Sequence, residues 1–239
     1  MLSLDKLGIN GFVMEQSSEY LKLGTDAMLL SEFAKVKGRD KVCDLGCGSG
    51  AVSILLAARH EGISLSGVEI VEGAARLAER NIEHNNISDR MQVFCEDLKN
   101  VGKLFSSGSF DAVVSNPPFM QMGGGIPTER EALLCARMEL CCTIDDVCRA
   151  AAYLLKFGGA FSLVYRPSRL SDLFGALLKY DMQPKRMRLV QDTVTAEPSL
   201  VLVEARKGGG SGIKLLPTLI LKNPDGTETD ETKEIYQRK

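Results

Sequence analysis

No stretch of the 239 residues stays apolar for the roughly 20 positions a membrane-crossing helix needs. The opening Met-Leu-Ser-Leu-Asp-Lys-Leu also lacks a basic segment followed by an apolar one. Both absences lead us to expect a cytoplasmic protein with no membrane partner. Only two histidines are present, His60 and His84; both fall in predicted helix ends or loops, and nothing pairs either with a nucleophile. A Tyr-x-x-x-Lys pair is missing too, which removes the side chains a hydride-transfer site would use. Seven cysteines (Cys43, Cys47, Cys95, Cys135, Cys141, Cys142, Cys148) are odd in number and lack repeated Cys-x-x-Cys spacing, so they read as reduced thiols and no metal is expected. No internal repeat is visible. The net charge of −2 excludes a uniformly basic nucleic-acid binder.

The 44% of apolar and 25% of charged residues fit a globular chain with a sizeable core. Asn10-Gly11, set between apolar alternations over residues 8–24, predicts a small hairpin. Thr25-Asp26 then caps an apolar run, Ala27 to Phe33, that reads as helix. Strands are predicted at 41–45, 63–69 and 91–95, in the apolar alternating run that ends at Ser115, and at 160–165. Helices are predicted at 50–59, 72–84, about 98–105 and 144–157. Such alternation gives a mostly parallel sheet with helices on both faces. A helix at 169–180 is followed by strands at 186–191 and 199–205 with so short a link that they must pair antiparallel, as an edge hairpin. The fold class is therefore α/β and Rossmann-like, with seven strands. The Gly208–Gly212 run reads as a flexible linker, and an acidic tail follows from Asn223. Between Lys156 and Lys222 there are 11 Lys or Arg against 5 Asp or Glu, compatible with phosphate contacts or with a solvated face.

Asp44-Leu45-Gly46-Cys47-Gly48-Ser49-Gly50 joins the first core strand to its helix. Its glycines let the backbone approach a ligand at the carboxyl ends of the strands. The pattern alone also satisfies a dinucleotide fingerprint. Glu69, 25 residues after Asp44, ends the second strand, where a carboxylate can accept both ribose hydroxyls, and Asp97 follows the third. Asn116 ends the fourth. Four successive strands thus finish in a polar residue on one edge. The alternatives are local: glycines as turn formers, Glu69 as a helix-capping acid and Asp97 as an N-cap.

Asn116-Pro117-Pro118-Phe119 is a site in its own right. The residue before a proline is pushed out of helix, and both prolines fix φ near −65°. An amide oxygen and a main-chain carbonyl held as acceptors beside a ring suit a planar –NH2 group on a nucleobase or a carboxamide. Such a nitrogen is a poor nucleophile because its lone pair is delocalised. Gripping both N–H bonds localises the pair and stabilises the positive charge that develops on nitrogen. A dehydrogenase would leave this stretch without a task.

With these residues the chain resembles the class I methyltransferases that use S-adenosylmethionine, over roughly residues 20–205. The resemblance implies that Asp44, Gly46, Cys47, Gly48 and Gly50 lie against the methionine part of the cofactor. By the same likeness Glu69 holds its ribose and Asp97 meets its adenine amino group. Thr25, Asp26, Ile70, Leu98 and Asn116 complete the implied cofactor set, and Asn116, Pro117, Pro118 and Phe119 are the implied catalytic set. Asn-Pro-Pro-aromatic is shared by enzymes acting on adenine N6, guanine N2 and protein glutamine. More of the chain, through Leu23-Gly24-Thr25-Asp26-Ala27-Met28-Leu29-Leu30, Arg186-Met187-Arg188-Leu189-Val190 and Val203-Glu204-Ala205-Arg206-Lys207-Gly208-Gly209-Gly210, is similar to the bacterial tRNA1(Val) adenine-37 N6-methyltransferase family. That family often has Tyr where this chain has Phe119, and Phe occurs there in guanine N2 enzymes. The resemblance implies a hairpin-and-helix unit over 1–36, the methyltransferase domain over 37–207 and an extension over 208–239. It further implies a tRNA or other structured RNA as partner and a monomer. Lys185, Arg186, Arg188, Arg206, Lys207 and Lys214 are the expected RNA contacts, and the glycine-rich Gln121–Arg130 is an expected flap over the target. A protein glutamine methyltransferase, and a non-catalytic RNA-binding module that keeps the fold, are the competing readings.

Overall fold

The computed structural model describes residues 2–20, 23–117 and 142–237. At the start, β1 (Leu2–Lys6) and β2 (Val13–Ser17) pair antiparallel around the Asn10-Gly11 turn. The hairpin therefore begins earlier than residue 8, because Gly8, Asn10 and Gly11 all have positive φ and together make the turn. The helix α1 (Thr25–Phe33) follows, then β3 (Lys41–Leu45), α2 (Ala51–Arg59), β4 (Ser64–Glu69), α3 (Glu72–His84) and β5 (Met91–Cys95). After a short 3-10 helix at Leu98–Lys103 come β6 (Phe110–Ser115), α4 (Ile144–Leu154) and β7 (Leu155–Tyr165). The rest is α5 (Leu170–Lys179), β8 (Met182–Gln191), β9 (Leu200–Lys207), β10 (Lys214–Leu215), β11 (Leu219–Ile220) and α6 (Asp230–Ile235).

The sheet runs β10-β8-β9-β7-β6-β3-β4-β5, with β11 also on β8. β7, β6, β3, β4 and β5 are parallel, and β9 runs antiparallel between β7 and β8. The seven expected strands and the reversed edge hairpin are all present. Central strands read as continuous apolar runs because both faces are covered: Val113, Val114, Phe161, Leu163 and Val164 are fully buried between the helix layers. Helix α3 instead buries one stripe, Ala74, Ala75, Leu77, Ala78, Asn81 and Ile82, and leaves its charged face out.

Residues 208–237 depart from the linker expectation. β10 and β11 lie parallel to β8, extending the sheet to nine strands. Ile235 of α6 is buried in the core cluster. Arg59 of α2 donates to the Ile235 carbonyl at 2.6 Å while pairing with Glu32 of α1 at 2.8 Å. Two-residue strands carry no readable periodicity, so only their hydrogen bonds to β8 reveal them.

Candidate active site

The parallel strands deliver the expected polar residues to one rim. Asp44 and Val114 are register partners, as are Glu69 and Cys95, so Asn116 and Glu69 both stand at carboxyl ends. With the order β6-β3-β4 they lie two strand spacings apart, about 10 Å. Ser115 Oγ donates to the Leu45 carbonyl at 2.7 Å, which fixes the end of β6 against the end of β3.

The loop after β3 is folded back on β4. Gly46 and Cys47 both donate to the Val68 carbonyl, at 2.9 and 3.1 Å. Gly46 and Gly48 have φ of 72° and 56°, a region where a side chain collides with its own backbone. A Cβ at either would meet no atom within 4 Å, so the space above the loop is open. Glu69 closes the loop from the far side: Gly48 N donates to Oε2 at 2.9 Å and Val71 N to Oε1 at 2.7 Å. The glycines are turn formers and Glu69 tethers the start of α3, as the local reading had it; each carboxylate oxygen still keeps a further lone pair for a ligand.

Asp44 is 1% and Glu69 2% exposed. Burial, with the charge of Glu69 adding to it, pushes the Asp44 carboxyl up to about 7 against the hydrogen bond from Ser53 Oγ. Burial raises Glu69 as well, opposed by the N–H groups of Val71 and Gly48. Among the described residues no cation pairs with either carboxylate. Two desolvated acids beside an open glycine loop suit a positively charged ligand that also carries hydroxyls. A sulfonium with an ammonium group and a ribose diol, as in S-adenosylmethionine, meets that requirement. The Cys43 and Cys47 thiols, buried in the same region, are driven well up by burial and stay protonated.

Asp97, expected at a cofactor amino group, also has a local task. It is the N-cap of the 3-10 helix: Oδ1 accepts from Lys99 N at 2.9 Å and Oδ2 pairs with Lys99 Nζ at 3.2 Å. Its carboxylate is held by the backbone turn that it starts. Ile70, 52% exposed, and half-buried Leu98 stand at the ends of β4 and β5 as apolar flanks. Thr25 is exposed at the start of α1, and Asp26 beside it accepts from Asn116 Nδ2 at 2.9 Å. Asn116 and Pro117 are half-buried; Pro118, Phe119 and Gln121–Arg130 lie outside the described residues.

The six basic candidates do not gather at the rim. Register carries Arg206 to Ala160 and on to Ala112, four positions below Asn116 on β6, and Lys207 and Lys185 sit at that same far end. Lys185 Nζ donates to the Gly210 carbonyl, Lys207 Nζ to the Leu155 carbonyl and Arg206 Nη1 to the Gly158 carbonyl. Arg186 is a structural cation: it pairs with buried Glu204 at 2.6 Å, donates to the Phe33 carbonyl at 2.7 Å and stacks 4.2 Å from the Phe33 ring. Arg188, level with the rim, holds Glu231 at 2.7 Å and the Pro217 carbonyl at 2.9 Å. Lys214 is exposed on β10. Charge counting finds basic residues without telling which are already spent on carbonyls and carboxylates.

Sequence reasoning missed Ser53 and Ser115, which hold Asp44 and the β6 end, and Asn81. That fully buried amide bonds Glu15 N at 2.6 Å, Glu15 O at 3.1 Å and Ser49 O at 3.0 Å, tying the hairpin to the glycine loop. An Asn on the apolar stripe of α3 was its one visible signal.

Among the described residues no helix is long and apolar enough to cross a membrane, and no cluster of His, Cys, Asp and Glu could hold a metal. The methyltransferase small domain family matches residues 17–173. The tRNA1(Val) (adenine(37)-N6)-methyltransferase of Bacteroides thetaiotaomicron is 33% identical over 155 residues, 64% of this chain and 62% of that one. The protein of the same name from Dickeya chrysanthemi is 28% identical over 86% of this chain and 82% of its own. Among solved structures, a predicted O-methyltransferase from Agrobacterium tumefaciens superposes with TM-score 0.74 at 22% identity, covering 90% of this chain and 96% of that one. The T. thermophilus 16S rRNA N2 G1207 methyltransferase, solved with AdoMet and guanosine, gives TM-score 0.59 at 22% identity over 87% of this chain and 50% of its own. Those two likenesses are of fold. With the family match over well more than half its length, the chain belongs to the methyltransferase small domain family and is a class I S-adenosylmethionine-dependent methyltransferase.

Proposed function

We propose that this enzyme methylates the exocyclic N6 of an adenine in a structured RNA, adenine 37 in the anticodon loop of tRNA1(Val), acting as a cytoplasmic monomer. The observation that carries this is Asn116: at the end of β6 its Nδ2 is spent on Asp26, which leaves Oδ1 as an acceptor for an amine. The names of the relatives, two of them matched over more than four-fifths of this chain, support the tRNA.

Bound S-adenosylmethionine supplies an electrophilic methyl group. Asp44, Glu69 and the glycine loop would hold it, with Ile70 and Leu98 flanking its base. Asn116 Oδ1 accepts one N6–H of the target and the Pro117 carbonyl the other. Both acceptors bind more strongly as positive charge grows on nitrogen, so they stabilise the transition state over the ground state. The proton leaves after attack, and no general base is required beforehand. A loop adenine is splayed from its stack at a cost of a few kcal/mol, less than a paired base demands. A guanine N2 target is the second reading, favoured by Phe119 in place of Tyr.

The test is incubation of the enzyme and labelled cofactor with unmodified tRNA(Val), total RNA and a protein fraction, followed by mass spectrometry of nucleosides and peptides. N6-methyladenosine in the tRNA alone supports the proposal. N2-methylguanosine, or label in protein, overturns it.

A further inference from the structure

We propose that Asp26 is a positioning residue for methyl transfer: its carboxylate grips the NH2 end of Asn116, so that the amide presents its oxygen, and only its oxygen, to the target amine. The proposal rests on the reading of Asn116 given above and moves Asp26 out of the cofactor-holding role its motif implied.

A carboxamide has two ends of nearly equal shape and opposite hydrogen-bonding character. An Asn left to itself on a half-buried strand end samples both, and in half of them it would offer an N–H to an N–H. An ionised carboxylate only accepts, so the group within 2.9 Å of Asp26 Oδ2 must be Nδ2, and Oδ1 is thereby turned the other way. The Ser115 Oγ bond to the Leu45 carbonyl anchors the residue before, so the strand end cannot swing to relax the pair. The charge does more than choose a rotamer. Drawing the amide N–H bond toward a carboxylate increases electron density on the amide oxygen, and hydrogen bonds in series strengthen one another. An Asp–Asn–amine series therefore becomes more favourable as the target nitrogen turns positive. The logic is that of the acid that orients the histidine in a serine-protease triad.

The carboxylate is itself held in place by the chain around it. Oδ1 accepts from Ala27 N at 2.9 Å. Gly24, the extended residue that begins α1, has no side-chain cap to offer, and a Cβ there would stand 2.4 Å from Asp26 Oδ1. Gly24 is therefore needed for the direction of the carboxylate, while its φ of −109° is open to any residue. The colliding atom is the tip of a short side chain, so Gly24→Ala displaces the carboxylate at little cost in folding.

The experiment compares Asp26→Ala, Asp26→Asn, Gly24→Ala, Asn116→Asp and the exchange Asp26→Asn/Asn116→Asp. It measures kcat, KM for RNA, cofactor affinity by calorimetry and melting temperature, with the Asn116 side-chain NH2 followed by 15N NMR. Asp26→Ala should lower kcat roughly 10–100-fold, the worth of one charge-assisted hydrogen bond, with cofactor affinity unchanged within about threefold. Gly24→Ala should lower kcat in the same direction at an unchanged melting temperature. Asp26→Asn, which keeps an acceptor oxygen but not the charge, should recover part of the rate, and the exchange should exceed Asn116→Asp alone by about tenfold because the amide and carboxylate trade places. In the NMR spectrum the Asn116 NH2 pair should move and exchange faster in Asp26→Ala and Gly24→Ala. Wild-type kcat in Asp26→Ala, a loss confined to cofactor affinity, or an Asp26→Asn variant no better than Asp26→Ala overturns the proposal. A wild-type enzyme that methylates no RNA sinks the functional reading instead; the NH2 resonances then decide the Asp26 assignment alone, and an NH2 pair unmoved by Asp26→Ala overturns it.

Discussion

At the carboxyl rim of β3, β4 and β6, acidic and amide side chains are held by main-chain N–H groups and by one another, and they keep lone pairs to offer. At the β8–β9 edge the cations that composition singles out are engaged by carbonyls, by Glu204 and by Glu231. The rim is built to receive a ligand and most of the edge is built to hold itself together. The contrast teaches that a charged residue's standing depends on what surrounds it, and that strand order establishes this where charge counting does not.

The largest effect expected from breaking that contrast is at Asp44. Its carboxyl ordinarily titrates at 3.8 and sits at about 7 in the fold. The folded state thus binds a proton more tightly than the unfolded state. The stability this gives is fully present below about 3.8 and is lost as pH rises through about 7, a swing of about 4 kcal/mol. Asp44→Asn should remove the swing: relative to wild type the ligand-free variant gains stability as pH is raised from 4 to 8, while its affinity for S-adenosylmethionine falls. Urea unfolding at several pH values checks the first and calorimetry the second. A parallel stability–pH curve for the variant would contradict the assignment of that proton to Asp44.

Asn116→Ala should lower kcat roughly 10²–10³-fold with cofactor affinity unchanged, measured by single-turnover methylation and calorimetry. The edge answers differently. Arg186→Met leaves buried Glu204 with only Arg206, 3.3 Å away, and should destabilise the fold by about 3 kcal/mol while leaving kcat per folded molecule within about threefold. Denaturant titration and active-site-normalised rates separate the two. The smallest effect is at exposed Lys214. If it meets phosphate, Lys214→Ala lowers the slope of log affinity against log salt by about 1, and Arg188→Ala, whose guanidinium is already spent, leaves the slope alone.

Much of the rim was legible because it obeys position. β3, α3 and β5 have the boundaries that alternation, helical periodicity and turn residues give them, and each rim residue sits where a parallel strand stops. The start of β7 was not readable. The helix expected over 144–157 stops at Leu154, and the strand expected from 160 begins at Leu155, which pairs with Phe110. The 98–105 helix is a shorter 3-10 helix, Leu98–Lys103, capped by Asp97, so a residue expected to face a ligand is also the cap of the turn it starts. Function and capping ask for the same side chain at the same place, and sequence cannot tell them apart. Arg186 and Glu204 are 18 residues apart and meet only because β8 and β9 fold together.

The Arg59 guanidinium bonds to the carbonyl of Ile235 across 176 residues. During translation, α1 and its partner α2 emerge long before that acceptor has been synthesised. Arg59 also holds Ser31 Oγ and Glu32 of α1, so the two helices are joined to each other as well as to α6. Removing α6 should therefore take away that acceptor and the buried Ile235 side chain together, leaving Arg59 with Ser31 and Glu32 of α1.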